Sequence, residues 1–206
     1  HNDDTGAKIL EFMGANKVPR EDDPSRTGIF TTGILSQVEE HQIALYFTGR
    51  KHAGENMADL LAKRDPDRDP PIQMCDALSR NPPKSFETIL ANCLTHARRK
   101  FVEVIDYFPA ESRVVLDTLR QVYKHDAITK DRTMNDEQRL EYHQENSAPL
   151  MEDLREWLNE QFDEKHIEPN SSMGAAITYM INHWPELTLF LRVPGAPLDN
   201  NLCEQV

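Results

Sequence analysis

Only three cysteines, Cys75, Cys93 and Cys203, occur in the 206 residues. They are too few for a disulfide scaffold, and their odd number fits a reducing compartment, so a cytoplasmic protein is expected. No apolar run approaches the roughly 20 residues that a membrane-spanning helix needs. The first residues, His1-Asn2-Asp3-Asp4-Thr5, carry neither the basic start nor the apolar stretch of a signal peptide. None of the 8 glycines belongs to a phosphate-cradling loop, a dinucleotide fingerprint or a Gly-x-Ser-x-Gly elbow, so the usual signatures of nucleotide binding and serine hydrolysis are missing. Basic residues are outnumbered, 23 against 35 acids, and the net charge of −12 means that the surface as a whole repels nucleic acid. A DNA-binding function therefore needs a local exception.

What is present suits a soluble globular protein: 38% hydrophobic and 28% charged residues, enough for one substantial domain or a domain with an insertion. Both ends read as the middle of something longer, and a fragment is expected. The first third is strand-like. Ile9–Met13, Gly28–Ser36, Gln42–Thr48 and Ile72–Asp76 are short runs rich in Ile, Val, Phe, Tyr and Thr between turn-forming residues, and a fifth strand is expected at Thr88–Ala91. One amphipathic helix, about Gly54–Lys63, interrupts them, while Lys17–Arg26 and the proline-rich Asp65–Pro71 read as exposed connections.

After Asn92 the hydrophobic period changes from two to 3.6. Leu94, Ala97, Phe101, Val104, Ile105 and Phe108 form one stripe, and further helices are expected at about 110–125, 135–146, 149–162 and 173–183, with Ser171 and Ser172 as caps. Charge is uneven along these helices. Asp131–Glu168 holds 12 acids and 4 bases, whereas His96-Ala97-Arg98-Arg99-Lys100 packs three bases with no acid between them. That cluster is the local exception, although such clusters also form ordinary solvated helix faces.

Two chemistries can be weighed on residue type. Cys93 and His96 could supply two zinc ligands, but a structural zinc needs four and no second pair follows. The carboxylates are more informative. Asp3 and Asp4 stand just ahead of an expected strand, Asp76 ends one, and Glu204 lies in a helix start. Hard oxygen ligands converging from different elements are what Mg²⁺ demands, and a pair of such ions supports phosphoryl transfer. Taken alone this pattern is unspecific in so acidic a chain.

Longer stretches are more specific. Cys93-Leu94-Thr95-His96-Ala97-Arg98-Arg99-Lys100-Phe101 and Leu198-Asp199-Asn200-Asn201-Leu202-Cys203-Glu204 resemble the two best-marked stretches of the insertion sequence 66 family of transposases. Asp3-Asp4-Thr5, Arg132 with Ser147-Ala148-Pro149-Leu150, and Ser172–Tyr179 before Asn182-His183-Trp184 agree in the same order. The resemblance implies an α/β, ribonuclease H-like fold: a mixed five-stranded sheet with flanking helices and a large helical insertion before the last catalytic residue. Residues 1–91 would form the sheet core, 92–185 the helical region with the insertion, and 186–206 the return to the core. It also implies a catalytic DDE triad of Asp3, Asp76 and Glu204 holding two Mg²⁺ or Mn²⁺ ions, with Asp4 as the alternative to Asp3, since adjacent strand residues face opposite sides.

The implied activity is metal-dependent cleavage and transfer of DNA strands at the ends of a mobile element. DNA is the implied partner, with no membrane, a homo-oligomer as an open option, and further domains in the full-length protein. His96, Arg98 and Arg99 are expected, from charge and position alone, to steer the DNA backbone. The family pattern is broken at two places: Ala77-Leu78 follow Asp76 where Gly-Tyr is usual, and Gln205 follows Glu204 where arginine is usual. Two other readings stay open here, a catalytically decayed relative and an acidic helical module that docks on a basic partner through Asp131–Glu168.

Overall fold

The computed structural model describes residues 1–7, 28–38 and 41–204, without the side chains of residues 6, 7 and 204. The expected strand Ile9–Met13 and the loop Lys17–Arg26 lie outside them. The chain is α/β and divides into two compact units, residues 1–90 with 200–206, and residues 91–199.

In the first unit, β1 (Asn2–Ala7), β2 (Ile29–Val38) and β3 (His41–Gly49) form an antiparallel sheet in that order. Asp3 and Asp4 thus lie inside a strand. Their run, Asn-Asp-Asp-Thr, has no strand-like apolar alternation; specific hydrogen bonds, described below, make up for it. The register sets Asn2 opposite Ile34, Asp3 opposite Gly33 and Asp4 opposite Thr32, and then Gly33 opposite Tyr46 on β3. α1 (Ala53–Leu61) follows, its first turn closed by Glu55, whose carboxylate accepts from the His52 N–H at 2.9 Å. Gly54 is required there, because a Cβ would stand 2.6 Å from the Arg80 carbonyl oxygen and closer still to that of Pro82.

β4 (Ile72–Cys75) pairs with β5 (Ile89–Asn92) in a separate two-stranded ladder. Among the described residues the single five-stranded ladder expected from sequence is thus not formed, and the backbone hydrogen bonds explain why. His1 and Leu35 exchange both of their bonds, at 2.9 and 3.0 Å. By antiparallel alternation, the peptide groups of Asn2 and Asp4 then face the outer edge of β1. There the Asn2 carbonyl accepts from the Asn200 side chain at 3.2 Å, and the Asp4 N–H donates to the Asp3 carboxylate at 2.9 Å. Side chains occupy groups that a neighbouring strand would need.

The second unit is helical, as the change of period requires. α2 (Leu94–Val104), α3 (Pro109–Asp131), α4 (Asp136–Asn146), α5 (Ala148–Asp163), α6 (Ser172–Asn182) and the short α7 (Trp184–Leu187) bury Leu94, Ala97, Phe101, Leu119, Val122, Leu158, Met173, Ile177 and Met180. Their ends follow capping chemistry. Asn135 and Gln138 cap each other's N–H groups at 2.9 and 3.1 Å, Ser171 accepts from the Gly174 N–H at 3.0 Å, and Pro109 and Pro149 occupy first turns. α3 runs past the expected end near His125 to Asp131, because Asp126 and Thr129 on its last turns are buried. The four-residue α8 (Asn201–Glu204) returns the chain to the first unit.

Candidate metal site and its surroundings

The two adjacent aspartates of β1 have different tasks. The Asp4 side chain is 1% exposed. Its Oδ2 accepts the Ala53 N–H at 2.9 Å, so it caps α1, and its Oδ1 accepts from the Thr32 hydroxyl, which in turn accepts from Asn56 Nδ2 at 2.8 Å. His52 Nδ1 lies 3.5 Å from Asp4 Oδ2. A carboxylate engaged in this way has little left for a metal. Asp3 is on the opposite face of the strand and half-buried.

The Asp3 face also receives α8. Gly33, opposite Asp3, has a carbonyl 3.7 Å from Cys203 Sγ, and a Cβ on Gly33 would touch that sulfur at 3.6 Å and the Tyr46 ring at 3.7 Å. Cys203 precedes Glu204, so the backbone of the third expected carboxylate comes close to the strand pair that carries the first. The Glu204 side chain lies outside the described residues.

Asp76 follows β4 and is half-buried. The loop it opens is tied to β1 through buried polar groups. Asn81 Nδ2 donates to the Asp76 carbonyl at 3.3 Å, and the Asn81 carbonyl accepts from Asn2 Nδ2 at 3.3 Å and from Gln73 Nε2 at 3.0 Å. Gln73 Nε2 also donates to Asn2 Oδ1 at 2.9 Å, and its Oε1 accepts from Thr88 at 2.9 Å. Asn2, Gln73, Asn81 and Asn200 are all at most 1% exposed. Residue-type reasoning passed over these four amides. The signal was there for Gln73, a polar residue inside the otherwise apolar Ile72–Cys75, since a buried amide must find partners.

Among the described residues no group of three or more His, Cys, Asp or Glu stands close enough to hold a metal ion. Asp3 and Asp76, two of the three residues expected to hold the implied ions, are carboxylates, the hard oxygen ligands that Mg²⁺ and Mn²⁺ take, and so fit them by type.

In the helical unit, Arg98 and Arg99 are exposed, His96 is half-buried, and Lys100 Nζ lies 4.5 Å above the Tyr179 ring. Leu94, Ala97 and Phe101 of the same helix are fully buried, so the arginines occupy the polar side as expected. Thr95 and Tyr123 share a hydroxyl hydrogen bond at 2.9 Å. Burial, opposed by that bond and reinforced by Asp199 and Cys93, pushes the phenol up.

A second polar cluster in this unit has the components of a nucleophilic triad. His143 Nδ1 bonds Ser147 Oγ at 2.9 Å, His143 Nε2 is 3.6 Å from Asp126 Oδ1, and His125 Nδ1 also reaches Ser147 at 3.0 Å. Ser147, His143 and Asp126 are 0%, 2% and 5% exposed, so substrate has no access to the hydroxyl. The cluster is a fastening. Lys130 and Arg139 reach Asp126 at 2.6 and 3.1 Å. Burial pushes the Asp126 carboxyl up, but the nearby His143, the Lys130 hydrogen bond and the charges of Lys130 and Arg139 outweigh it and hold the group well below the usual carboxylate range. Burial, helped by His143, lowers the pKa of His125.

Comparison with known proteins gives a family match over the whole chain: the model described as "Transposase IS66 family" matches residues 1–206. The uncharacterized protein y4jD of Sinorhizobium fredii is 34% identical over 118 residues, 56% of this chain and 22% of its own length. The uncharacterized protein y4hP of the same organism is 32% identical over 133 residues, 59% of this chain and 24% of its own length. The matched part of this chain thus spans less than a quarter of either relative. No solved structure matches significantly. No helix among the described residues is long and apolar enough to cross a membrane.

Proposed function

Because the chain belongs to the IS66 family of transposases, we propose that it is the catalytic core of a DDE enzyme that cuts and joins DNA at the ends of a mobile element. The observation that carries this reading is the approach of α8 to β1: Cys203, next to Glu204, rests on Gly33, which is opposite Asp3. The loop behind Asp76 is tied to the neighbouring Asn2 through Asn81. The segments that bear these three carboxylates, distant in sequence, are thus each tied to the β1–β2 pair, which supports the reading.

The two ladders are read as the halves of a split ribonuclease H-like sheet in the order β3-β2-β1-β4-β5, with β1 and β4 side by side and joined by side-chain bonds instead of a backbone ladder. The Gln73–Asn2 bond supports β1 and β4 as neighbours. Residues 1–91 would then be the sheet core, 92–185 the helical region with its insertion, and 186–206 the return.

Asp3, Asp76 and Glu204 would hold two Mg²⁺ or Mn²⁺ ions. Such ions, when bound, help to deprotonate an attacking oxygen and to stabilise a leaving one. The protein's own part is to hold its carboxylates ready. Asp4 fixes β1 to α1 and so turns Asp3 to the other face, where the Asp4 N–H orients one of its oxygens. Arg98 and Arg99, with His96, are read as contacts for the DNA backbone; their charge counters the phosphates that the acidic remainder of the chain repels.

The experiment uses the full-length protein. Asp3→Asn, Asp76→Asn and Glu204→Gln should each abolish cleavage and joining of element ends while end binding persists, and each should shrink the rise in melting temperature caused by Mg²⁺ or Mn²⁺. Normal strand transfer by any of the three would refute its assignment. A wild-type protein that binds ends but neither cuts them nor responds to metal would instead be a decayed relative. Arg98→Ala with Arg99→Ala should weaken DNA binding at low salt and change folding stability by no more than about 0.5 kcal/mol.

A further inference from the structure

We propose that Asn200 is a positioning residue of this site, the joint that sets where α8, and with it Glu204, leaves β1. The inference rests on the metal-site reading above and extends it to a group that touches neither metal nor DNA.

Asn200 engages both ends of its side-chain amide and its backbone carbonyl. Its Nδ2 donates to the outward-facing Asn2 carbonyl at 3.2 Å. With Nδ2 so oriented, Oδ1 is the acceptor, and it bonds His1 Nδ1 at 3.0 Å, which makes Nδ1 the protonated nitrogen of that ring. The Asn200 backbone carbonyl accepts the Cys203 N–H at 2.9 Å and so opens the first turn of α8. One fully buried residue therefore grips β1 with its side chain and starts α8 with its main chain.

Two consequences follow. The Asn200 side chain bonds residues directly before Asp3, so any slack in this joint becomes an error in the separation of Asp3 and Glu204. Asparagine is also the residue that meets the need: aspartate lacks the donor for the Asn2 carbonyl, and an aliphatic side chain would leave that carbonyl and the His1 N–H without partners. Groups that orient metal ligands typically matter by one to two orders of magnitude in metal affinity.

The test compares wild type, Asn200→Asp, Asn200→Ala and Asp3→Asn in the full-length protein. Asn200→Asp keeps the shape and removes the donor; Asn200→Ala covers the case in which a buried charge prevents folding. Amide exchange of α8 in metal-free protein is the first readout. Both Asn200 variants should exchange faster there by roughly tenfold or more, while β2 and β3 keep their protection. The Mg²⁺ concentration for half of the metal-induced rise in melting temperature is the second, and it should increase roughly tenfold, with end cleavage partly recovered at high Mn²⁺ and end binding unchanged. Wild-type exchange in α8, or a wild-type metal requirement in both Asn200 variants while Asp3→Asn has lost its metal response, overturns the positioning role alone. A wild-type metal response in Asp3→Asn overturns the site, and the positioning role with it.

Discussion

The two units solve the problem of a buried interior in different ways. The helical unit buries aliphatic, aromatic and sulfur side chains, with Phe101, Leu119, Leu158, Met173, Ile177 and Met180 each fully or almost fully enclosed. Non-directional packing of that kind tolerates small shifts. The sheet unit, beside Ile34, Leu35, Met74 and Cys75, also encloses Asn2, Thr32, Asn56, Gln73, Asn81 and Asn200, all at most 6% exposed. Each of these must meet donors and acceptors at hydrogen-bond distance or incur a desolvation cost. The unit that carries the expected carboxylates is thus the one whose interior is specified by geometry. The helical unit also encloses a charged cluster around Asp126, and there Lys130 and Arg139 face the carboxylate while His143 bonds Ser147.

The sharpest way to break this comparison is to remove bulk from the apolar interior. Phe101→Ala should cost about 4 kcal/mol, read as a lower denaturation midpoint, with the loss of amide protection centred on α2 and α3. An equal loss in β1 and β2 would mean that the two interiors are not energetically distinct. Next in size is Gly54→Ala. Its methyl would collide with the backbone carbonyls of Arg80 and Pro82, which should cost roughly 3 kcal/mol and be felt first in α1.

Gln73→Leu tests the polar interior directly. Leucine approximates the volume but leaves Asn2 Oδ1 without its Gln73 donor and the Thr88 hydroxyl without its acceptor. A loss of about 2 kcal/mol is expected, against less than about 1.5 kcal/mol for the volume-conserving Met151→Leu in the helical unit. If the two substitutions cost the same, the hydrogen bonds at the edge of β1 do not specify that unit.

The smallest effect expected is one of slope. Asp126 has a depressed pKa in the folded state, so its contribution is complete above the ordinary carboxylate value of about 3.9 and is lost as the pH falls through that value toward the folded one. His125, also depressed, adds a weaker loss as the pH falls below about 6.5. Asp126→Asn should therefore flatten the acid side of the stability profile, as measured by denaturant melts between about pH 5 and pH 2. An unchanged slope would remove Asp126 from the account.

What could be read from the chain follows from how far each interaction reaches. The stripe of Leu94, Ala97, Phe101 and Val104, the cap at Ser171, and the outward arginines Arg98 and Arg99 depend on neighbours three or four residues away, and so local pattern was enough to find them. β2, β3 and β4 were legible in the same way from their branched and aromatic runs. The family, and with it the expectation for Asp3, Asp76 and Glu204, was legible because whole motifs carried it and not because of any spacing of charges.

Tertiary structure decided the rest, because those interactions join residues that sequence keeps apart. β1 is a strand although Asn2-Asp3-Asp4-Thr5 has no apolar alternation, since β2, α1 and Asn200 satisfy its polar groups. The division of labour between Asp3 and Asp4 needed the N-terminus of α1 to be brought to one face of β1. The separation of β4 and β5 from the three-stranded sheet needed the edge of β1 to be taken by side chains. Directional hydrogen bonds between distant segments leave no period in a sequence. They exist only once the chain has folded around them.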